Sequence, residues 1–175
     1  MTGRLKGMWK RFRDRRMGTE YPDSGVTPLP AWQVKEALMA LNGTGVPFRV
    51  RTAFGGEKAH VVAEWQIVLP AMGDSVSAEK VERSMKTRMR LAPAVREVHV
   101  LDEVREVGLV GDPPRRTLSR RWSRGPYVGR QWWWEKGPDG RRHKVVIFDS
   151  RDMRDPLRNT VLEAGWTWRG VMRLR

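Results

Sequence analysis

The chain has 175 residues, no Cys, and 34 Lys and Arg against 20 Asp and Glu, which gives a formal net charge of +14 at pH 7. Without Cys it has no disulfide, no thiolate nucleophile and no Cys-ligated zinc or iron–sulfur site. No apolar run approaches the ~20 residues of a membrane-spanning helix, and nine Trp argue against a disordered chain.

The positive charge is concentrated towards the two ends of the sequence. Residues 1–18 hold 7 Lys and Arg against 1 acidic residue, residues 19–112 hold 11 against 13, and residues 113–175 hold 16 against 6. Such a surplus raises the attraction of a protein to any polyanion and says little about its fold. We therefore expect the partner to be nucleic acid, with an anionic membrane surface or an acidic protein as the alternatives.

Residues 1–18 form the first predicted element, a basic amphipathic segment with a helix over residues 4–17. Its apolar residues follow helical spacing, and its cations lie outside that stripe. The apolar residues are Leu5, Met8, Trp9 and Phe12, and the cations are Lys6, Lys10, Arg11 and Arg13. Such a helix can lie on an anionic lipid surface, bind nucleic acid through its cations, or dock on the protein's own sheet. A Pro-rich linker is predicted over residues 19–30.

A second helix is predicted to begin at Pro30 and to end at Asn42-Gly43. Its apolar face consists of Val34, Leu38 and Leu41. Residues 46–69 then change to the two-residue alternation of a β-hairpin, with Gly55-Gly56 able to turn the chain. The second strand of this hairpin presents one apolar face, which consists of Val61, Ala63, Trp65 and Ile67.

The next segment is predicted to start as a short helix and to finish as a strand. Ser75 or Ser77 is the expected cap of the helix, which carries Val81 and Met85. Alternation favours a strand over residues 87–91, and residues 97–110 are predicted to form one long strand or two short ones. Residues 111–126 hold three Pro, two Gly and five Arg with almost no apolar periodicity. We predict an exposed basic loop there.

The C-terminal third is predicted to contain a hairpin, a helix and a last strand. The hairpin joins residues 127–136 to residues 142–148 through the turn Gly137-Pro138-Asp139-Gly140. Asp155 and Pro156 are the expected cap and first position of the helix. Its apolar face consists of Leu157, Val161 and Ala164, Gly165 ends it, and residues 166–172 alternate as the last strand.

The predicted fold class is α+β. Consecutive hairpins favour a mostly antiparallel sheet with two or three helices, plus the basic amphipathic N-terminal helix. Residues 31–175 are predicted to form a single domain. The segments Val62-Ala63-Glu64-Trp65 and Ala164-Gly165-Trp166-Thr167-Trp168-Arg169-Gly170 resemble a family of uncharacterised small proteins from high-GC Gram-positive bacteria, over roughly residues 28–172. That resemblance implies no activity and no site residues.

The candidate nucleic-acid site lies in residues 113–144. Trp132, Trp133 and Trp134 sit among Arg and Lys, and bases stack on indole while cations contact phosphate. The expected contacts are Trp133 or its neighbours for stacking and, for phosphate, Arg115, Arg116, Arg120, Arg121, Arg124, Arg141 and Arg142. The competing interpretation is that two of the Trp build the core and the third packs under an Arg stem.

Enzymatic signatures are absent from the sequence. His60, His99 and His143 fall on separate predicted strands, and no zinc-protease, nucleophile-elbow or phosphate-loop motif occurs. The repeat Asp149, Asp152 and Asp155 has the spacing of a Mg²⁺ site, but acids at that position more often cap a helix. We predict no cofactor and no metal site.

These observations predict a non-enzymatic, cytoplasmic accessory protein that binds nucleic acid, in a plasmid- or phage-linked setting. One alternative is a peripheral membrane protein at the inner face of the cell membrane, held by residues 4–16. The others are an adaptor for an acidic protein partner and an unrecognised nuclease.

Overall fold

The structure is a computed structural model that describes Asp14 and residues 17–69, 81–110, 115–122 and 128–174. For residues 68–69, 81–82, 106–110, 115–122, 131–135 and 145–147 it describes the backbone alone. The helices and strands are, in chain order, α1 (Ala31–Ala40), β1 (Arg49–Thr52), β2 (Val61–Leu69), β3 (Val81–Ala92), β4 (Glu97–Val110), β5 (Arg115–Trp122), β6 (Arg130–Lys136), β7 (Arg142–Asp149), α2 (Arg151–Glu163) and β8 (Thr167–Gly170), with short 3₁₀ turns at Leu41–Gly43 and Pro93–Val95.

A six-stranded sheet organises the fold, and a separate two-stranded sheet is formed by β6 and β7. Strands β1 to β5 are antiparallel neighbours in sequence order. Strand β8 pairs with residues 97–100 of β4 in parallel, on the same edge of β4 that pairs with β5 through residues 103–110. The architecture is therefore α+β with a mixed, mostly antiparallel sheet, as predicted at that level.

The core lies between one face of the six-stranded sheet and the two helices. Helix α1 contributes Val34 and Leu38, and α2 contributes Met153, Leu157 and Val161, all with no exposed surface. From β2 the buried residues are Val61, Ala63, Trp65 and Ile67, the face that the alternation predicted. Burial of one face of a sheet against amphipathic helices supplies most of the stabilisation of such a layered fold.

Strand β3 confirms the predicted strand over residues 87–91 and corrects the predicted helix before it. Val81 and Met85 were expected on a short helix, but the whole of residues 81–92 is strand and pairs with both β2 and β4. Met85 and Met89 alternate into the core with no exposed surface, so the two-residue period and two partner strands outweigh the local helix signal. Ser75 and Ser77 lie outside the described residues. Residues 97–110 form one long strand, β4.

Strand β5 corrects the predicted exposed loop at residues 111–126. Residues 115–122 pair with β4 in an unbroken eight-residue antiparallel register. The loop was predicted because the segment lacks apolar periodicity. Backbone pairing to a long neighbouring strand does not require apolar periodicity. Arg124 and the ends of the predicted loop, residues 111–114 and 123–126, lie outside the described residues.

Helix α2 begins five residues before the predicted Pro156 start. Asp149 Oδ1 accepts a hydrogen bond from the backbone N–H of Arg151 at 3.0 Å, which caps the first turn. The extra turn brings Met153 into the core beside Leu157. Burial of Met153 offsets the cost of Pro156 inside the helix, where proline cannot donate to the carbonyl four residues earlier. The cap prediction for Asp155 was therefore wrong.

Residues 19–30, predicted as a linker, pack on the domain. Glu20 and Trp168 exchange both of their backbone hydrogen bonds, at 2.8 and 2.9 Å. The Leu29 N–H donates to the Ala164 carbonyl at 3.0 Å, and the Trp166 indole N–H donates to the Leu29 carbonyl at 2.8 Å. The segment thus adds a bridge to the open edge of β8 and covers the buried Trp166.

The predicted N-terminal helix lies outside the described residues except for Asp14 and Met17. Asp14 is buried, and its Oδ2 accepts a hydrogen bond from the Tyr21 hydroxyl at 2.7 Å, which raises the pKa of Tyr21. The lipid-facing candidates Leu5, Lys6, Trp9, Lys10, Arg11, Phe12 and Arg13 all fall outside the described residues. In the part of the chain that is described, no helix has the length and apolarity needed to cross a membrane.

A substitution at Gly170 can test how the N-terminal segment packs on β8. A Cβ at this position would collide with the backbone carbonyl oxygen of Met17. We therefore expect Gly170→Ala to lower the free energy of unfolding by roughly 1–3 kcal/mol, the usual cost of overpacking, as measured by urea denaturation. The control is Gly43→Ala, where a Cβ would meet open space. Equal stability of the two variants would contradict the packing described here.

Candidate functional site

The turn end of the β6–β7 hairpin presents a group of exposed cations. Every charged residue from Lys136 to Lys144 is exposed: the cations Lys136, Arg141, Arg142 and Lys144, His143, and one acid, Asp139. Among the described residues, Lys136, Arg141 and Arg142 form no ion pair. The sequence prediction for Arg141 and Arg142 therefore falls on an exposed and strongly positive hairpin end.

The turn of the hairpin is fixed by its own hydrogen bonds. The Gly140 N–H donates to the Gly137 carbonyl at 3.0 Å, and the Gly137 N–H donates to the Arg141 carbonyl at 2.8 Å. Gly140 has a φ of 76°, which completes a tight turn with Pro138 and Asp139 at its centre. Asp139 Oδ1 lies 3.1 Å from His143 Nε2 and accepts from the Arg141 N–H at 3.1 Å, and these contacts lower its pKa.

The register of the hairpin separates the three tryptophans. Lys136 is opposite Arg142, Trp134 is opposite Lys144 and Trp132 is opposite Val146, whereas Trp133 is opposite Val145. Directly opposed residues share a face of an antiparallel pair, and alternate residues of one strand do too. Trp132 and Trp134 therefore occupy positions on the face of Lys136, Arg142 and Lys144, and Trp133 occupies a position on the other face with His143.

The base of the hairpin is tied to α2 and to the core. Arg130 donates from Nε to Asp149 Oδ2 at 2.8 Å, and Gly129 and Ser150 exchange hydrogen bonds at 2.9 and 3.0 Å. Hydrogen bonds from the Arg151 backbone and from the two arginine side chains lower the pKa of Asp149 to about 2. Phe148 packs against Trp65 with ring centroids 4.9 Å apart. The base is thus anchored while the turn end is exposed.

The other predicted contacts lie on a different sheet. Arg115, Arg116, Arg120 and Arg121 belong to β5, at the edge of the six-stranded sheet, whereas Trp133, Arg141 and Arg142 belong to the two-stranded sheet. The register places Arg120 directly opposite Arg105, which is exposed and forms no ion pair with the described residues. The register thus places like charges at directly opposed positions, which is an unfavourable pairing across strands.

Sequence reasoning missed the charged network on the sheet face that the helices leave uncovered. Arg51 contacts Glu57 through both terminal nitrogens, at 2.8 and 2.9 Å, and Glu64 at 2.6 Å. Lys86 contacts Glu64 at 2.8 Å, and Arg88 contacts Glu103 at 2.8 Å. These pairs join four strands and a turn. Glu64, Lys86, Arg88 and Glu103 line a polar cavity of about 190 Å³. Unlike Lys136, Arg141 and Arg142 of the hairpin, the members of this network are paired with opposite charges.

Two exposed aromatic residues were also missed. Trp32 on α1 is 59% exposed, and Phe54 in the β1–β2 turn is 68% exposed. The Arg51 guanidinium lies 4.2 Å from the centroid of the Phe54 ring. The signal available in the sequence was the position of Phe54 beside Gly55-Gly56, because an aromatic residue in a tight turn has few neighbours to bury it.

The histidines and the aspartate repeat do not come together as a metal site. His99 contacts Glu97, His143 contacts Asp139, and His60 Nδ1 accepts from the Leu91 N–H at 3.0 Å. Within the described residues, no group of three His, Asp or Glu side chains is arranged to hold a metal ion. Asp149 caps α2, and burial followed by the Asp149 charge raises the pKa of Asp152.

Comparisons of the chain with protein-family models, with curated proteins and with solved structures find no match. The resemblance to small proteins of high-GC Gram-positive bacteria therefore stays a prediction.

The charged network can be tested through the effect of acid titration of Glu57 on stability. Hydrogen bonds from Arg51 lower the pKa of Glu57 from 4.5 to about 2. A carboxylate with a lowered pKa in the folded state contributes stability above its unfolded pKa and loses it as the pH falls towards the folded value. We expect Glu57→Gln to lower the free energy of unfolding by about 1–3 kcal/mol at pH 7, and this difference from the native chain to shrink between pH 4.5 and 2.

The measurement is urea unfolding across that pH range. The control is Glu36→Gln on α1, an exposed carboxylate without an ion pair among the described residues. A difference for Glu57→Gln that stays constant with pH would contradict the ionic role assigned to Glu57.

Proposed function

We propose that this protein is a non-enzymatic binder of nucleic acid, and that the β6–β7 hairpin makes the primary contact. The observation that carries the proposal is the exposed turn end of the hairpin, where Lys136, Arg141 and Arg142 have no ion-pair partner among the described residues. Unneutralised cations on a preformed turn attract phosphates and release the counterions of the nucleic acid.

The tryptophans of β6 extend the proposal from a phosphate contact to a single-stranded ligand. Trp132 and Trp134 share their register face with Lys136 and Arg142. Alternation of aromatic and cationic positions on one surface suits single strands, since bases stack on the rings and phosphates contact the cations. This assignment favours Trp134 and Trp132 over Trp133 as the stacking residues.

The second proposed contact is the edge formed by β4 and β5. Arg105 and Arg120 are directly opposed there, and Arg121 follows at the next position. A phosphate between the two opposed arginines would relieve their repulsion. Arg115, Arg116 and Arg121 would add further attraction along the same strand, so a strand of nucleic acid could contact the protein at two edges.

The first test measures how binding to single-stranded DNA depends on salt. The variant carries Lys136→Gln and Arg142→Gln, and binding is followed by the fluorescence anisotropy of a labelled oligonucleotide. Each phosphate contact adds about −0.7 to the slope of log affinity against log salt for single strands. We expect the double variant to bind more weakly at low salt and its slope to be smaller in magnitude by about 1.4.

The matched control carries Arg49→Gln and Arg96→Gln, two exposed arginines away from the hairpin that form no ion pair with the described residues. If both double variants weaken binding equally, the affinity reflects net charge alone and the hairpin is not the contact. Absence of binding by the native chain at low salt would overturn the proposed function itself.

The second test separates the two faces of the hairpin. We expect Trp134→Ala to weaken binding to single-stranded DNA by about 1–3 kcal/mol, the cost of one lost stacking contact, and Trp133→Ala to have a much smaller effect. Trp134→Phe retains a ring and should retain most of the affinity. Thermal unfolding of each variant identifies any loss of fold, and a larger effect of Trp133→Ala in a folded protein would contradict the face assignment.

A further inference from the structure

A cleft opens between the β1–β2 turn and the chain that follows β8. Its volume is about 340 Å³, and it is lined by Gly56, Glu57, Lys58, Arg88, Leu101, Met172, Arg173 and Leu174. This volume is within the range of small-molecule sites, roughly 300–1,000 Å³. The cleft lies on the sheet face opposite the helices, away from the β6–β7 hairpin.

Two leucines give the cleft an apolar floor on an otherwise charged sheet face. Leu101 of β4 is 6% exposed and Leu174 is 7% exposed. The backbone N–H of Val171 donates to the Val100 carbonyl at 2.9 Å, which holds the C-terminal segment against β4 and positions Leu174 over the sheet. Met172, which also lines the cleft, is 68% exposed, so its side chain supplies apolar surface that a ligand can cover.

The charges of the cleft leave two cations without partners. Glu57 is engaged by Arg51 and Lys86, and Arg88 is engaged by Glu103 at 2.8 Å. Lys58 and Arg173 are exposed and form no ion pair with the described residues. The cleft thus combines an apolar floor with an unneutralised positive rim.

Lys58 has a backbone conformation that is unusual for its residue type. Its φ is 54°, in the left-handed region that favours glycine. The chain has Gly55 and Gly56 in the same turn, yet a lysine occupies this strained position. Non-glycine residues in such conformations are often found at ligand sites.

We propose that this cleft binds a small amphipathic anion, whose apolar body covers Met172 beside the floor of Leu101 and Leu174 and whose carboxylate is held by Lys58 and Arg173. The chemical class is that of medium-chain carboxylates. This site is distinct from the proposed hairpin contact, because none of its residues belongs to the β6–β7 hairpin.

The experiment titrates the full chain with octanoate and, separately, with 1-octanol and octylamine. Binding is followed by amide chemical shifts in ¹H–¹⁵N spectra. We expect octanoate to bind more tightly than the other two and to shift the amides of residues 56–58, 101 and 172–174. No binding, equal binding of 1-octanol, or shifts confined to residues 136–144 would each overturn the proposal.

Charge variants provide the specificity control. We expect Lys58→Gln and Arg173→Gln each to weaken octanoate binding about two- to fivefold, the effect of one exposed charge, and to leave 1-octanol unaffected. The matched controls are Arg49→Gln and Arg96→Gln. Equal losses in both pairs of variants would show attraction by net charge and overturn the site.

Lys58→Gly separates ligand binding from fold. Glycine adopts the left-handed conformation without strain, so this variant should unfold at a higher urea concentration than the native chain and still bind octanoate more weakly. A Lys58→Gly variant that binds as tightly as the native chain would contradict the role of the lysine. An oligonucleotide that displaces octanoate would show that the cleft belongs to the nucleic-acid surface, and would overturn the separation of the two sites.

Discussion

The pairing of β4 with three other strands is the constraint on which the structure depends. One edge of β4 pairs with β3, and the other edge pairs with β8 at its beginning and with β5 at its end. Because residues alternate between faces, this one register decides that Val98, Val100 and Val104 enter the core and that Leu101, Glu103 and Arg105 lie on the opposite face. A slip of one residue would exchange the two faces.

Sequence patterns predicted the helices and hairpins whose signals lie close together in the chain. The hairpin of β1 and β2, the helix after Pro30 and the hairpin around Gly137-Pro138-Asp139-Gly140 each combine an apolar period with turn chemistry in one short window. Strand β5 pairs with the preceding strand β4, with Val110 opposite Arg115, and it was not predicted because its sequence lacks apolar alternation. The parallel pairing of β8 and the packing of residues 19–30 depend on partners far away in sequence. Such partners leave no trace in a window of ten residues, which is why those elements were not predicted correctly.

The residues of the candidate sites also divide into a group that the sequence predicted and a group that it did not. The cations of the β6–β7 hairpin were predicted because they cluster in sequence beside a recognisable turn. The network of Arg51, Glu57, Glu64 and Lys86 was not, since its members come from four segments and meet only through strand register. The cleft beside Lys58 needs the C-terminal segment to close it, and no sequence pattern joins residues 58 and 173.

The charged network on the sheet face and the β6–β7 hairpin also differ in how many of their charges form ion pairs. On the sheet face, the network of Arg51, Glu57, Glu64 and Lys86 pairs carboxylates with cations across neighbouring strands, so these groups stabilise one another. On the hairpin, Asp139 is engaged by the turn itself, and Lys136, Arg141 and Arg142 form no ion pair with the described residues. Net charge alone would not distinguish these surfaces; the arrangement of ion pairs does.

The bridge between Glu20 and Trp168 has a consequence for the order in which the protein folds. These residues are separated by about 150 positions, and β8 is synthesised after every other strand of its sheet. Contacts of such long range make folding slow, because much of the chain must be ordered before they form. During translation, the edge of β4 at residues 97–100 therefore lacks its partner until β8 has left the ribosome, and an unpaired strand edge is prone to aggregation.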